Sequence, residues 1–280
     1  MTIRKTSLVL LALLVCFCPA LAADDGAAEL PWEKGSVNLG AYMADLNSSF
    51  RLGLDNVGLG LILDTEKFLG MKTNDYAFRV GGAYRMGESM RHKFEFVWFS
   101  FDRRSEKEIT EDIELPPELG GDTLYVGTTI TSTFKFDIIK AKYKYSIVLD
   151  NRVDMNVGLG FYVMPVTIGL GKKGEELKSQ DITAPLPVFG LGVDVILTPS
   201  WLLKQNLDIF FLKIGSFRGS ILNAQMALEY SSWKHWGVGA GVDGLQLKVE
   251  ADGDDYPLMD FVGSLQFSYF GAQLYVKFLY

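Results

Sequence analysis

From residue 36 onward the chain alternates apolar and polar side chains over runs of a dozen residues and more. Val153, Met155, Val157, Leu159, Phe161 and Val163 stand opposite Asp154, Asn156, Gly158, Gly160 and Tyr162. Leu222, Ala224, Met226, Leu228 and Tyr230 stand opposite Asn223, Gln225, Ala227 and Glu229. A period of two puts successive side chains on opposite faces of a β-strand. Ten such segments are predicted: 36–52, 73–87, 91–105, 132–149, 152–169, 184–198, 201–214, 219–231, 235–250 and 258–280. The alternation changes phase near Leu46, Asp137, Asp243-Gly244 and Phe270. Those changes predict β-bulges, which bend strands.

The connections carry the next constraint. Met86 to Met90, Asp150-Asn151, Thr198-Pro199-Ser200 and Ser231 to Lys234 are tight turns. At the other end, 53–72, 106–131, 170–183 and 251–257 are longer, and only Gly215 to Arg218 is short. Short turns at one end and long loops at the other mark an outer-membrane barrel. A soluble sandwich alternates too, but its strands usually run five or six residues. A lipocalin-type barrel turns its apolar face inward, and alternation alone does not say which face points in. The aromatics favour the membrane. Tyr84, Phe94, Trp201, Trp233, Trp236, Phe278 and Tyr280 gather at the short turns, as in an interfacial girdle. The expected fold is all-β: an antiparallel up-and-down transmembrane β-barrel of about ten strands, with 8 to 12 compatible with the pattern. An even strand count places both termini at the short-turn, periplasmic side.

The N-terminus carries an export signal. Arg4 and Lys5 precede an apolar run from Leu8 to Cys18, Pro19 ends it, and Ala20-Leu21-Ala22 is a cleavage site. Residues 1–22 are expected to be a signal peptide cut after Ala22, leaving 23–280 as one barrel domain. Cys16 and Cys18 fall within the leader, so the mature chain has no thiol and no disulfide. Loss of Arg4 and Lys5 moves the net charge from −7 to −9. An acidic chain of this kind is not a nucleic-acid binder.

With the apolar face turned to lipid, the lumen would receive Arg79, Arg85, Lys93, Glu95, Lys140, Lys142, Lys144, Asp154, Asn156, Asp194, Lys204, Asn206, Asp208, Asn223, Gln225 and Glu229. Both signs occur on neighbouring strands. A ten-stranded bore is little wider than the eight-stranded kind that side chains fill. An ion-pair network filling a narrow barrel is therefore expected. The alternative is a narrow passive channel whose row of Lys140, Lys142 and Lys144 draws anions or small polar solutes.

An enzyme is not expected. His92 and His235 both follow short turns, at the end away from the outer surface, and Ser231 and Ser232 beside His235 are ordinary turn residues. A lipid hydrolase, the least favoured alternative, needs a base near neutral pKa at its site. There is no G-x-S-x-G, H-E-x-x-H or P-loop. No cofactor or metal site is expected, since the acidic tip at 252–255 lacks the later ligands of an EF-hand. Residues 53–72 are apolar for a loop, and Leu59, Leu61, Ile62, Phe68 and Leu69 could cap the barrel mouth or plug it. Thr128 to Thr133 could lengthen the fourth strand, so that strands three and four project as a ribbon.

The closing GAQLYVKFLY alternates back from a terminal aromatic through Tyr280, Phe278, Val276 and Leu274. With the leader and the ten strands, it resembles Gram-negative outer-membrane β-barrel proteins of the small porin-like class, in the style of OmpA, OmpX and OmpW. Those barrels usually end on Phe, and Tyr280 stands in its place. Arg91-His92-Lys93-Phe94 and Ala184-Pro185-Leu186-Pro187 look like segments of uncharacterised small barrels. The resemblance implies that Leu274, Val276, Phe278 and Tyr280 are the signal read by the barrel-assembly machinery, with periplasmic chaperones as earlier partners. It also implies an outer-membrane location, with membrane lipid and lipopolysaccharide as surroundings. An OmpW-like path for hydrophobic solutes rests on fold analogy alone.

Overall fold

In a computed structural model of the chain, ten long strands pair antiparallel in chain order, and the last returns to the first. The structure describes residues 31–52, 61–64, 69–110, 112–114, 123–174, 178–215, 217–252 and 262–280. The strands are β1 (Gly35–Leu52), β2 (Asn74–Met86), β3 (His92–Glu108), β4 (Thr129–Leu149), β5 (Val153–Lys172), β6 (Lys178–Thr198), β7 (Trp201–Ile214), β8 (Phe217–Tyr230), β9 (Trp236–Asp252) and β10 (Val262–Leu279). Closure runs in unbroken register from Ser36↔Leu279 to Leu52↔Gly263. A closed sheet has no free edge, as a bilayer interior requires. A short strand, Leu61–Asp64, pairs with β1 beyond the top of β2. Ile113–Glu114 and Thr123–Leu124 pair with each other above β3 and β4.

The expected loop at 170–183 is mostly strand, because β5 continues to Lys172 and β6 begins at Lys178. The ribbon of strands three and four is present, since β3 and β4 stay paired to Glu108↔Thr129. Within the apolar 53–72 segment, Leu69 is buried, with Met71 beside it, in the interior cluster. Leu59 and Phe68, the acidic tip at 253–255 and the signal segment with Ala22 lie outside the described residues.

The four expected bulges are not there. Registers pass through Leu46, Asp137, Asp243-Gly244 and Phe270 without a shift. The shifts fall at Ser146/Val148 and at Trp201/Leu202, beside short turns. What changes at the four sites is hydropathy, while the pleat is kept. On β10, Leu265, Phe267, Tyr269, Gly271, Gln273, Tyr275 and Lys277 all face inward. Outward, Gln266 and Ser268 give way to Phe270, Ala272, Leu274, Val276 and Phe278. On β4, inward Phe134, Phe136 and Ile138 give way to Lys140, Lys142 and Lys144. On β9, inward Asp243 is followed by Leu245, Leu247 and Val249.

The barrel therefore has two storeys. In the storey nearer the short turns the exterior is apolar and the interior polar, the surface of a membrane barrel. Exposed Leu39, Phe78, Phe96, Leu159, Phe161 and Phe211 belong to this belt, and Tyr84, Trp201, Trp236 and Tyr280 rim it. In the storey nearer the long loops the exterior is polar, with Asp102, Arg104, Lys135 and Lys248 outward. Its interior is an apolar core of the kind found in water-soluble proteins. Full burial of a Phe such as Phe99, Phe101, Phe134, Phe136 or Phe267 contributes about 1.5–3 kcal/mol each.

Candidate functional site

Every charged residue expected in the lumen lies on the inward face, and all are buried or partly buried: Arg79, Arg85, Lys93, Glu95, Lys140, Lys142, Lys144, Asp154, Asp194, Lys204, Asp208 and Glu229. They meet across the bore in layers. At the short-turn mouth, Glu229 accepts from Lys277 (2.6 Å) and from the Tyr275 hydroxyl (2.7 Å), and Lys204 lies 3.1 Å away. The segment before β1 folds into this mouth. Glu33 pairs with Lys204 at 3.4 Å and with Lys277. Trp32 donates from Nε1 to the Asp150 carbonyl at 2.7 Å, and the Arg85 guanidinium stands 5.4 Å over its ring. Burial alone would raise the Glu33 carboxyl, but the Lys204 and Lys277 ammonium groups outweigh it and hold the acid below its ordinary value. Beside this segment is a cavity of about 640 Å³, lined in part by Trp32, Glu33, Lys93, Asp194 and Lys204.

Deeper in, Arg85 donates to Asp154 at 2.6 Å, and Lys93 lies 3.1 Å from Asp194. Glu95 is ringed by Lys144 at 2.8 Å, Lys93 at 3.2 Å and Lys142 at 3.7 Å. Lys142 also pairs with Asp208 at 3.0 Å. These lysines lie flat along the wall because it carries glycine there. A Cβ on Gly160 would stand 2.6 Å from Lys142 Cγ, and one on Gly158 2.8 Å from Lys144 Cγ.

The uppermost polar layer is a joint with the apolar storey. Lys140 donates to Asn223 (3.0 Å) and Tyr269 Oη (3.2 Å), and lies 3.4 Å from Asp243. Asn223 donates to Asp243 at 2.5 Å, and the Tyr162 hydroxyl donates to Asp208 while lying 2.9 Å from Asn223 Oδ1. The same ammonium stands 5.0 Å from the Tyr162 ring centre and 5.6 Å from that of Phe99. Above it the aromatics touch across the bore. Tyr42 contacts Phe99 and Tyr269 at 5.4 and 5.7 Å between ring centres, and Phe136 contacts Phe267 at 4.2 Å.

Sequence reasoning missed Glu33, Asp243, Lys277 and the tyrosines 162, 269 and 275. Lys277 and Tyr275 were legible as the face of β10 opposite Leu274 and Phe278. Asp243 was lost to the supposed bulge beside it. Leu274, Val276, Phe278 and Tyr280 all face lipid. The histidines lie away from the lumen network. His92 Nδ1 is 2.6 Å from the Tyr143 hydroxyl on the outer wall, and exposed His235 lies 3.4 Å from the Leu279 carbonyl. Among the described residues, no group of three His, Cys, Asp or Glu side chains is arranged to hold a metal.

No protein-family model matches the chain, and no curated protein matches it in sequence. Solved structures do match. The outer membrane protease OmpT from Escherichia coli aligns over 88% of this chain and 97% of its own, with a TM-score of 0.52 at 8% identity. The translocator domain of the autotransporter NalP from Neisseria meningitidis aligns over 87% and 88%, with a TM-score of 0.45 at 8% identity. The attachment invasion locus protein Ail of Yersinia pestis aligns over 87% and 99%, at 0.32 and 11%. At such identities the likeness to OmpT is one of fold. A closed ten-stranded antiparallel sheet with an apolar outer belt and the chain course of OmpT gives this protein the fold of an outer-membrane β-barrel.

Proposed function

We propose that the protein is exported by its signal segment to the outer membrane, where it is a closed barrel serving as a structural and surface-interaction element. The observation that carries this is the double filling of the bore. Ion pairs bridge the membrane storey, and an apolar core occupies the storey above it. A hydrated ion passing along the axis would have to break the first and part the second, and a hydrophobic solute would meet the charges. The protruding polar storey is then the working surface. Lys135, Lys213 and Arg218 point outward just beyond the belt, at the height of lipid phosphates, which supports contact with lipopolysaccharide. OmpT is a protease, but at 8% identity it lends a fold and no catalytic residue.

Planar-bilayer recording of the refolded mature chain tests the proposal. Silence across all voltages is expected. Steady anion-selective openings that disappear when Lys140, Lys142 and Lys144 are changed to Ala would replace it with a narrow pore.

A further inference from the structure

Between the rim of short turns and the change of character above it, the outward side chains of the belt are apolar or aromatic on every strand but one. The exception is β7. Outward Trp201 and Leu203 are followed by Gln205, and then Leu207, Ile209 and Phe211 complete the belt before Lys213. Among the described residues, Gln205 is the one outward amide with apolar side chains both below and above it on its own strand.

Nothing beside it answers its polarity. Its outward neighbours are Val193 on β6, Met226 on β8, and Leu203 and Leu207 along β7, and the diagonal positions are apolar as well. The backbone groups next to it are paired in ladders that run through Gln205 without a shift. It stands four residues from Trp201, about 13 Å along the strand and about 10 Å in height at a tilt of about 40°. That is too far for the side chain to reach the rim. An amide left without a partner in hydrocarbon is costly, and membrane proteins meet that cost with hydrogen bonds from one spanning wall to another.

The wall around Gln205 is also low. Its register row across β5 to β9 reads Met155, Val193, Gln205, Met226 and Val242, without an aromatic ring. On the far side of the ring of strands, β2 and β3 present exposed Phe78, Phe94 and Phe96.

We propose that this wall packs against the same wall of a second copy, two barrels standing side by side in the membrane about a two-fold axis at Gln205. A primary amide carries donor and acceptor together. Two of them facing each other across a two-fold therefore exchange a pair of N–H···O=C bonds, which a lipid tail cannot supply. Low side chains let the two walls approach closely, and flexible Met155 and Met226 fill the seam. The inference rests on the lipid-facing belt and not on the filling of the bore, so it stands or falls apart from the closed-barrel proposal.

The test uses residues 23–280, which hold no cysteine, refolded into vesicles with lipid in large excess. Copies carrying Ser232→Cys, in the exposed turn between β8 and β9, are labelled with donor or acceptor dyes of short transfer radius and mixed. Energy transfer should appear, fall as more lipid is added, and vanish with excess unlabelled parent. Copies labelled at Glu88→Cys, in the turn between β2 and β3 on the far wall, should show little transfer. Gln205→Leu should unfold at no lower urea than the parent and raise the dissociation constant of pairing about tenfold. Gln205→Asn keeps a self-complementary amide and should pair better than Gln205→Leu. Transfer in the parent no greater than random crowding gives, equal transfer from the two label sites, or equal pairing of the parent and Gln205→Leu would each overturn the interface.

Discussion

A lysine scan along the outward face of β10 would locate the membrane surface on a single strand. From Phe270 to Tyr280 the outward residues are apolar, a run of ten steps and about 33 Å of strand at about 3.3 Å per residue. Tilted by about 40°, as barrel strands are, that run rises about 25 Å, the height of the apolar band of an outer-membrane barrel. Leu274 sits at its middle and is 67% exposed to lipid. Leu274→Lys should cost about 2–4 kcal/mol, the depth-dependent cost of a lysine at the bilayer midplane. Phe278→Lys, near the interface, should cost about 1 kcal/mol or less in charge transfer, with some further loss from its ring contact to Trp236 at 5.2 Å. Ser268→Lys and Gln266→Lys, on the same face but above the belt, should fall within about 0.5 kcal/mol of the parent. Urea titration of each variant in vesicles, read by tryptophan fluorescence, gives the profile. Equal costs at Ser268 and Leu274 would refute the claim that the change from Ser268 to Phe270 marks the outer membrane surface.

Two other substitutions probe the interior. Phe136→Ala removes a fully buried ring stacked on Phe134 and tilted against Phe267, and should cost about 3–5 kcal/mol in the same titration, whereas lipid-facing Phe211→Ala should cost far less. Glu33 should act as an acid-sensitive latch on the short-turn mouth. Its folded pKa is held below the unfolded value of about 4.3, so its contribution is complete above that value and lost as pH falls through the lower, folded one. Ser36→Cys, at a position 2% exposed, made in a chain of residues 23–280, which holds no other cysteine, reports the latch by its reaction with a dipyridyl disulfide, which proceeds in acid. Labelling should stay slow at pH 5, quicken below about pH 4, and already be fast at neutral pH in Glu33→Gln. A rate that is flat with pH and equal in both proteins would show that Glu33 does not hold the segment in place.

The strands were legible because alternation is a local property, and lipid on one face with charge on the other enforces it residue by residue. The short turns were legible for the same reason, since their chemistry is local. The two storeys were not, although every residue that makes them was in view. A strand that inverts its hydropathy and a strand that slips by one residue give the same written pattern at Asp137 or Phe270. Only the partner strand tells them apart, because a slip breaks the register and an inversion leaves it whole. Taking the inversion for a slip had a local cost at the candidate site. It left Asp243 assigned to neither face and hid the partner of Lys140.

The inversion also explains why the charges stop where they do. A polar side chain facing inward in the membrane storey cannot be solvated by lipid, so it must find partners within the bore, as Lys142 does with Asp208 and Glu95. Above the belt the exterior can be wet, and the interior is free to be the apolar phase instead. Inner and outer surfaces therefore exchange character at one height, near Lys140 inside and Ile139 outside on β4. Lys140, with carboxylate and amide on one side and the Phe99 and Tyr162 rings on the other, sits on that boundary. Neutral replacement of Lys140 should therefore loosen both storeys at once, leaving Asp243 uncompensated below and a gap against Phe99 above. Replacing Lys144, with charges and amides around it, should disturb the membrane storey alone.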